Sequence, residues 1–252
     1  MAGSDSSAGA GLQADLKTAQ HFGVYAQTAV TAVTVQNTLG VTGVHPVPPA
    51  IVAAQIEAAL SDIGADAVKT GMLGSAEMAG TVAAALERHA PGIPLVVDPV
   101  MVAKGGARLI DEDAVAALKT RLLPLAALVT PNLPEAEALT GILPVDDNRV
   151  RDAARAFAAM GARNVLFKGG HGDGETVRDV LWTGGDFIVF EATRQHTSHT
   201  HGTGCTLATA IAGGLAQGLP LSEAVRRAHA YVQDAIRTAP RLGHGHGPLN
   251  HR

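Results

Sequence analysis

The sequence predicts an α/β protein built on a mostly parallel central sheet with helices on both faces. Short apolar runs at 67–70, 94–97, 127–130 and 165–168 alternate with longer stretches of helical periodicity. Their continuous Val and Leu content marks strands covered on both sides, which in α/β folds means a parallel sheet between two helix layers. Polar residues, and Met72 beside them, gather at or just past the ends of these runs: Lys69 and Met72, Asp98, Asn132 and Glu135, and Lys168. Ligands of such sheets bind beyond the carboxyl ends of the strands, so four successive strands point to one shared cleft.

Taken in order, residues 2–11 read as a small-residue loop, and Leu12, Leu16, Ala19 and Phe22 then recur at helical spacing. The Val- and Thr-rich stretch 24–34 reads as a strand ending at Val35-Gln36-Asn37-Thr38, with a short edge strand at 40–44. Pro46, Pro48 and Pro49 open a helix that runs to Leu60. The run 67–70 leads into Gly71-Met72-Leu73-Gly74 and a helix through Arg88. The run 94–97 leads into Asp98-Pro99-Val100-Met101, a loop, and a helix near 112–122. After 127–130 come Pro131-Asn132-Leu133-Pro134-Glu135 and more helix, and after 165–168 comes Gly169-Gly170-His171. An antiparallel pair is expected at 179–182 and 187–190, turned by Gly184-Gly185, before two helices near 205–217 and 222–238.

Composition narrows the function. The 252 residues are 46% hydrophobic with no compositional seam, which suits a single domain over 1–252 with a sizeable core. A net charge of −4 and 3% aromatic residues argue against a nucleic-acid surface. No apolar run reaches the roughly 18–20 residues of a membrane span, and Met1 is followed by small and acidic residues rather than a secretory leader. Cys205, the only cysteine, excludes an internal disulfide and fits the cytoplasm.

The most informative stretch is His201-Gly202-Thr203-Gly204-Cys205, followed at once by a helix-forming run. Glycines expose main-chain N–H groups and the helix start adds unpaired amides and a positive dipole end, which together bind anions. Cys205 stands at the first turn, where a thiolate is favoured. Alone, the pentapeptide is equally a Gly-rich loop before a core helix with a buried cysteine.

Other motifs sharpen it. Gly9-Ala10-Gly11-Leu12-Gln13-Ala14 matches the dinucleotide pattern, but no acidic residue lies between Asp15 and Glu57 to hold a ribose. No G-K pair forms a P-loop, so phosphates fall to the 201–205 loop. A magnesium ion carrying nucleotide phosphates needs only one or two carboxylates, and Asp98 and Glu135 are the best placed. Asn132 and Glu135, three residues apart, share one helical face. Separately, Asp98 reads as a turn cap and Glu135 as a solvated first-turn residue. Lys168 is either a point charge on a phosphate or a surface lysine. His199, His201 and Cys205 resemble a metal-ligand set but fall short of a transition-metal cage. Gly243-His244-Gly245-His246-Gly247-Pro248 is either a metal-binding tail or a loop folded on the cleft. The Gln36 carboxamide offers a donor and an acceptor edge, the complement of an aminopyrimidine; it reads equally as a strand-end cap.

Eight ordered motifs then match one family: 2–7, 9–18, 35–38, 71–73, 98–101, 130–136, 168–171 and 201–206. Over essentially its whole length the chain resembles the hydroxymethylpyrimidine/phosphomethylpyrimidine kinases of thiamine biosynthesis, in the ribokinase-like superfamily. The resemblance implies a ribokinase-like three-layer sandwich. It also implies ATP-dependent phosphorylation of 4-amino-5-hydroxymethyl-2-methylpyrimidine and of its monophosphate, with ATP and Mg2+, in a homodimer. By motif, Gln36, Asp15, Gly3 and Met72 bind the pyrimidine, and Lys168, Asn132, Thr203 and His201 bind ATP and its phosphates. Asp98 and Glu135 hold magnesium. Gly202, Thr203 and Gly204 form the anion hole, and Cys205 stands where sugar kinases carry a catalytic aspartate. As general base its thiol should sit below about 8.5 because of the helix start. Two departures from the family follow: its first strand is truncated here, and Ala8 replaces a usual glycine, which matters if that position needs positive φ. Pyridoxal or pyridoxine kinase, and a non-catalytic pyrimidine-binding module, remain as alternatives.

Overall fold

In the computed structural model, which describes residues 1–102, 106, 109–171 and 174–252, the strands form two sheets. The larger carries parallel strands β4 (Val68–Thr70), β5 (Leu95–Val97), β6 (Leu128–Val129) and β7 (Val165–Phe167). Antiparallel β8 (Thr176–Trp182) and β9 (Phe187–Thr193) complete its far edge. The smaller sheet has the order β1 (Ala2–Asp5), β2 (Val30–Asn37), β3 (Gly40–Pro46), with β1 parallel and β3 antiparallel to β2.

The loop expected over 2–11 is corrected: Ala2–Asp5 form a four-residue strand, β1. Ala-Gly-Ser has weak strand propensity, so the strand is held by main-chain bonds that no side-chain pattern announces. Met1 extends it towards β4: its amino group donates to the Lys69 carbonyl at 2.8 Å, and Gly71 N–H donates to the Met1 carbonyl at 2.9 Å.

Helices α1 (Gly11–His21), α2 (Pro49–Asp62), α3 (Ala76–His89), α4 (Glu112–Ala117), α5 (Leu133–Thr140), α6 (Asp147–Ala159), α7 (Thr203–Ala216) and α8 (Leu221–Arg237) surround the strands. The helix expected at 112–122 is α4 followed by one wide π-helical turn, Leu118–Leu122. The strand expected from 24 begins only at Val30, and part of the loop expected after Met101 lies outside the described residues. Alternate residues of each parallel strand feed opposite cores, as a period of two requires. Val97, Val129, Val165 and Phe167 pack with Val52 and Ile56 of α2, Val82 of α3 and Phe157 of α6. Val96, Leu128 and Leu166 pack with Leu207 and Ile211 of α7 and Val225 and Val232 of α8. The continuous apolar runs are thus strands shared by two helix layers. Among the described residues no helix is long and apolar enough to cross a membrane.

Among the described residues, Ala8 is one of two non-glycine residues with positive φ, at 58°. Its Cβ makes that left-handed conformation cost about 1–2 kcal/mol, more than the extra chain entropy a glycine loses on folding. Ala8→Gly should therefore stabilise the protein by about 0.5–1 kcal/mol, read as a higher melting temperature in a thermal unfolding scan.

Candidate active site

Beyond the carboxyl ends of β4–β7 lies one cleft of about 1340 Å³. Single small-molecule pockets run to about 1,000 Å³, so this one has room for two ligands side by side. Gly3, Gln36 and Met72 line one end, Val177, Leu207 and Val232 line the other, and Asp98, Lys168 and the 201–205 loop lie between.

The candidate anion hole lies at the start of helix α7. Gly202, its N-cap, has φ 83°, and a Cβ there would lie 1.9 Å from the Gly9 carbonyl oxygen, so only glycine fits. Thr203 is tied by N–H and hydroxyl to the Thr200 carbonyl, and Thr206 N–H donates to the Gly202 carbonyl. The N–H groups of Gly204 and Cys205 have no acceptor among the described residues, which leaves two donors at the positive end of a 14-residue helix. Gly204 lies directly over the neighbouring charges: a Cβ on it would stand 3.3 Å from Lys168 Nζ and 3.5 Å from Asp98 Oδ2.

Those charges form a buried group of three. Lys168 Nζ donates to Asp98 Oδ1 at 2.9 Å and lies 3.8 Å from Glu135 Oε2, while Thr130 donates to Asp98 at 3.2 Å. Asn132 and Glu135 form a reciprocal capping box at the start of α5, so the spacing seen in sequence is a helix start that also delivers a carboxylate to the cleft. Burial pushes Glu135 up, to about 7, with Asp98 adding to the rise and Lys168 opposing it. Lys168 is held above the usual lysine range: burial disfavours its charge, but Asp98 and Glu135 outweigh that. Two buried carboxylates sharing one ammonium carry a surplus negative charge, and their hard oxygen donors suit a magnesium ion that keeps waters and phosphates as its other ligands. Among the described residues no three His, Cys, Asp or Glu side chains converge on a metal position.

At the other end, a β-bulge between Val35 and Gln36 re-aims the chain. Ser6 fixes the Gln36 backbone on both sides, donating to its carbonyl at 2.7 Å and accepting its N–H at 2.9 Å. The Gln36 carboxamide spans from Thr34 Oγ1, at 3.2 Å, to His201 Nε2, at 3.4 Å. Met72 packs across Gly3, where a Cβ would lie 2.7 Å from its methyl group.

Asp5, which sequence reasoning left out, is the structural centre of this end. Its carboxylate accepts from Ser7 N–H and Oγ, Gly9 N–H, Ala10 N–H and His201 Nε2 at 2.8–3.1 Å. Burial opposes its charge, yet these donors hold it below the usual carboxylate range. The Gly9–Gly11 loop that mimics a dinucleotide fingerprint is thus wrapped around the protein's own carboxylate. The signal available in sequence was an aspartate just ahead of a G-x-G loop. In His201, ring Nε2 lies 2.8 Å from Asp5 Oδ2 and the main-chain N–H donates to the Gly247 carbonyl. The 243–248 segment folds against the cleft, with His246 and Gly245 N–H groups bonded to Thr38 and His246 lining the cavity.

Cys205 lines the cleft, but its thiol runs against expectation. Burial pushes it up, to about 11; Lys69 pulls it down, and Asp15 and Asp98 push it further up. Position at a helix start was expected to lower the thiol, whereas withdrawal from water here outweighs the pull of Lys69.

The family model described as phosphomethylpyrimidine kinase matches residues 5–250. The hydroxymethylpyrimidine/phosphomethylpyrimidine kinase of Haemophilus influenzae is 49% identical over all of this chain and 94% of its own length. A thiamine biosynthesis bifunctional protein of Geobacter sulfurreducens is 56% identical; this chain is fully covered and spans 51% of that protein. Among solved structures, phosphomethylpyrimidine kinase from Clostridium difficile superposes with TM-score 0.82 at 41% identity, over 93% of this chain and 96% of that one. Pyridoxal kinase from Staphylococcus aureus, in complex with AMP-PCP and pyridoxal, gives 0.89 at 37% identity, over 99% and 91%. The alternation, the three layers and these neighbours make the fold ribokinase-like.

Asp15, expected at the pyrimidine, is not on the cleft wall. It lies buried on α1, where it accepts Lys69 Nζ at 2.8 and 3.1 Å and Thr209 Oγ1 at 2.7 Å. Burial disfavours the Lys69 charge, but Asp15, with Cys205 and Asp98 beyond it, holds its pKa above the lysine range. Removing one member of such a buried pair leaves the other charge uncompensated. Asp15→Asn should cost about 3–5 kcal/mol of stability, measured by urea unfolding, with the loss there rather than in pyrimidine KM.

Proposed function

The chain belongs to the phosphomethylpyrimidine kinase family, and from that membership we propose that its cleft phosphorylates 4-amino-5-hydroxymethyl-2-methylpyrimidine with ATP and then phosphorylates the monophosphate. The observation that supports this most is the continuity of the cleft. A carboxamide at one end and an apolar slot at the other meet at two free helix-terminal amides flanked by Lys168.

In this reading ATP lies with its adenine towards Leu207 and Val232 and its γ-phosphate over Gly204 and Cys205. Phosphoryl transfer spreads charge over the equatorial oxygens, so catalysis rests on donors already in place: the Gly204 and Cys205 amides and the Lys168 ammonium. Asn132 keeps its Nδ2 donors for a phosphate, because only its oxygen is used in capping Glu135. Asp98 and Glu135 would hold magnesium, which when bound neutralises the developing charge on the phosphates. Gln36 reads the aminopyrimidine edge, with Gly3 and Met72 closing the pocket around the ring.

Cys205 takes the hydroxyl proton. At a thiol pKa of about 11 only a small fraction is ionised at neutral pH, although the thiolate is then a stronger base. The pyridoxal kinase reading is favoured by the Staphylococcus aureus structure, at TM-score 0.89 and 37% identity. The higher identity to pyrimidine kinases and Gln36 favour the aminopyrimidine. A coupled ADP-release assay with the pyrimidine alcohol, its monophosphate and pyridoxal tests this. Faster turnover of pyridoxal overturns it, and binding without ADP release leaves only a pyrimidine-binding module.

Val33 and Val35, on the outward face of β2, and Leu39 at the hairpin turn are exposed. They support a homodimer through the small sheet, and the lone cysteine supports a cytoplasmic site of action. Val35→Glu should shift the molar mass in light scattering from dimer to monomer. Cys205→Ala should lower kcat by about 10²–10⁴ while leaving the pyrimidine Kd nearly unchanged. With the base titrating near 11, wild-type kcat should climb steadily between pH 7 and 9, since the required thiolate gains population as pH rises towards its pKa. A flat stopped-flow profile over that range removes the base assignment.

A further inference from the structure

Resting on the pyrimidine-kinase reading, we infer that the carboxy-terminal segment 243–248 is a strap that positions the acceptor. It ties the turn of the β2–β3 hairpin to the loop ahead of α7. Gly243 and Gly245 are its positioning residues, setting the span between Gln36 and the Gly204 and Cys205 amides.

The hairpin is anchored from both sides. β3 is the edge of the small sheet and pairs only with β2. Ser6 holds the Gln36 backbone from the amino-terminal loop. Two residues on, the turn residue Thr38 is held by the strap. Its carbonyl accepts His246 N–H at 2.7 Å, and its hydroxyl oxygen accepts Gly245 N–H at 3.3 Å.

From there the strap passes to the loop ahead of α7. The Gly247 carbonyl accepts His201 N–H at 3.0 Å, and Pro248 pairs in parallel with His201. His246 Nδ1 lies 3.2 Å from the Ser198 carbonyl, which can only accept, so the ring donates there. Just beyond the strap Leu249 is buried, Asn250 N–H donates to the Ala235 carbonyl of α8 at 3.1 Å, and His251 Nε2 lies 3.0 Å from Thr206 Oγ1 of α7. The strap therefore moves with the helices, and the hairpin turn is bonded to it.

The glycines fix how closely the two approach. A Cβ on Gly243 would collide with the Thr38 side chain, and one on Gly245 with the Thr38 carbonyl. Because that carbonyl is main chain, any side chain at 245 must part the strap from the hairpin and break the 2.7 Å bond. An acceptor that spans from Gln36 to the α7 amides then loses contact at one end. The proposed ATP contacts, Leu207, Val232 and Lys168, belong to α7, α8 and the end of β7, outside the hairpin.

The test combines steady-state kinetics, with pyrimidine alcohol and ATP varied separately, and amide hydrogen exchange. The proteins are wild type, Gly245→Ala, Gly243→Ala, Thr38→Gly, the Gly243→Ala/Thr38→Gly double variant, and His244→Ala as an exposed control. Gly245→Ala should raise pyrimidine KM about tenfold, the loss of roughly one hydrogen bond, with ATP KM within about twofold. It should also speed exchange several-fold in peptides covering 38–46 while leaving those of α8 unchanged. Gly243→Ala carries two separable costs. Its φ of 81° strains any side chain and lowers the melting temperature, whereas its collision with Thr38 displaces the hairpin. Thr38→Gly removes only the collision, so the double variant should recover pyrimidine KM to within about threefold of wild type and keep the lowered melting temperature. His244→Ala should match wild type. Pyrimidine KM that stays high in the double variant, ATP KM that rises in step, or unaltered exchange in Gly245→Ala overturns the inference. A wild-type enzyme that does not turn over the pyrimidine alcohol overturns the functional reading instead, and the strap's role in acceptor binding falls with it.

Discussion

The buried carboxylate of Asp5 is the constraint around which the site is assembled. A charge withdrawn from water must be matched by donors, and Asp5 collects them from three places: Ser7, the Gly9–Ala10 turn, and His201. Meeting that demand curls the first loop into the start of α1. It also pulls a loop nearly two hundred residues later against the amino-terminal strand. The Gly202 turn, its Cβ position filled by the Gly9 carbonyl, is a result of the same closure. The anion hole at α7 is therefore shaped by an anion that belongs to the protein.

A second electrostatic pattern surrounds the start of α7. Lys69 and Asp15 lie beneath it, and Lys168, Asp98 and Glu135 lie beside it. Both ammonium groups act on Cys205. Each is kept charged by carboxylates fixed on other elements, so the field at the helix terminus is set before any ligand arrives. Such preorganisation is what stabilises a transferring phosphoryl group without rearrangement during the reaction.

Much of this was legible in the chain. The apolar runs were continuous because two helix layers share each strand, and that made the parallel sheet readable. Asp98, Asn132, Glu135 and Lys168 could be assigned to one cleft because they end successive strands. What escaped the reading depended on partners far apart in sequence. Strand β1 is held through main-chain groups, so its small residues look like a loop. Asp15 meets Lys69 across 54 residues and Thr209 across 194, contacts that no local pattern displays. The sign of the Cys205 shift depends on how deeply α7 buries the thiol, and a helix start predicts the opposite direction.

The two sheets divide the labour. Gln36, Thr34 and Gly3 belong to the three-stranded sheet, whereas Asp98, Lys168 and Glu135 follow strands of the six-stranded one. Under the proposed function, most contacts to the acceptor and most to the phosphate thus come from different sheets, which are joined where Met1 bonds Lys69 and Gly71. Under that reading, substitutions on the small sheet would change the acceptor while leaving Asp98, Glu135 and Lys168 in place.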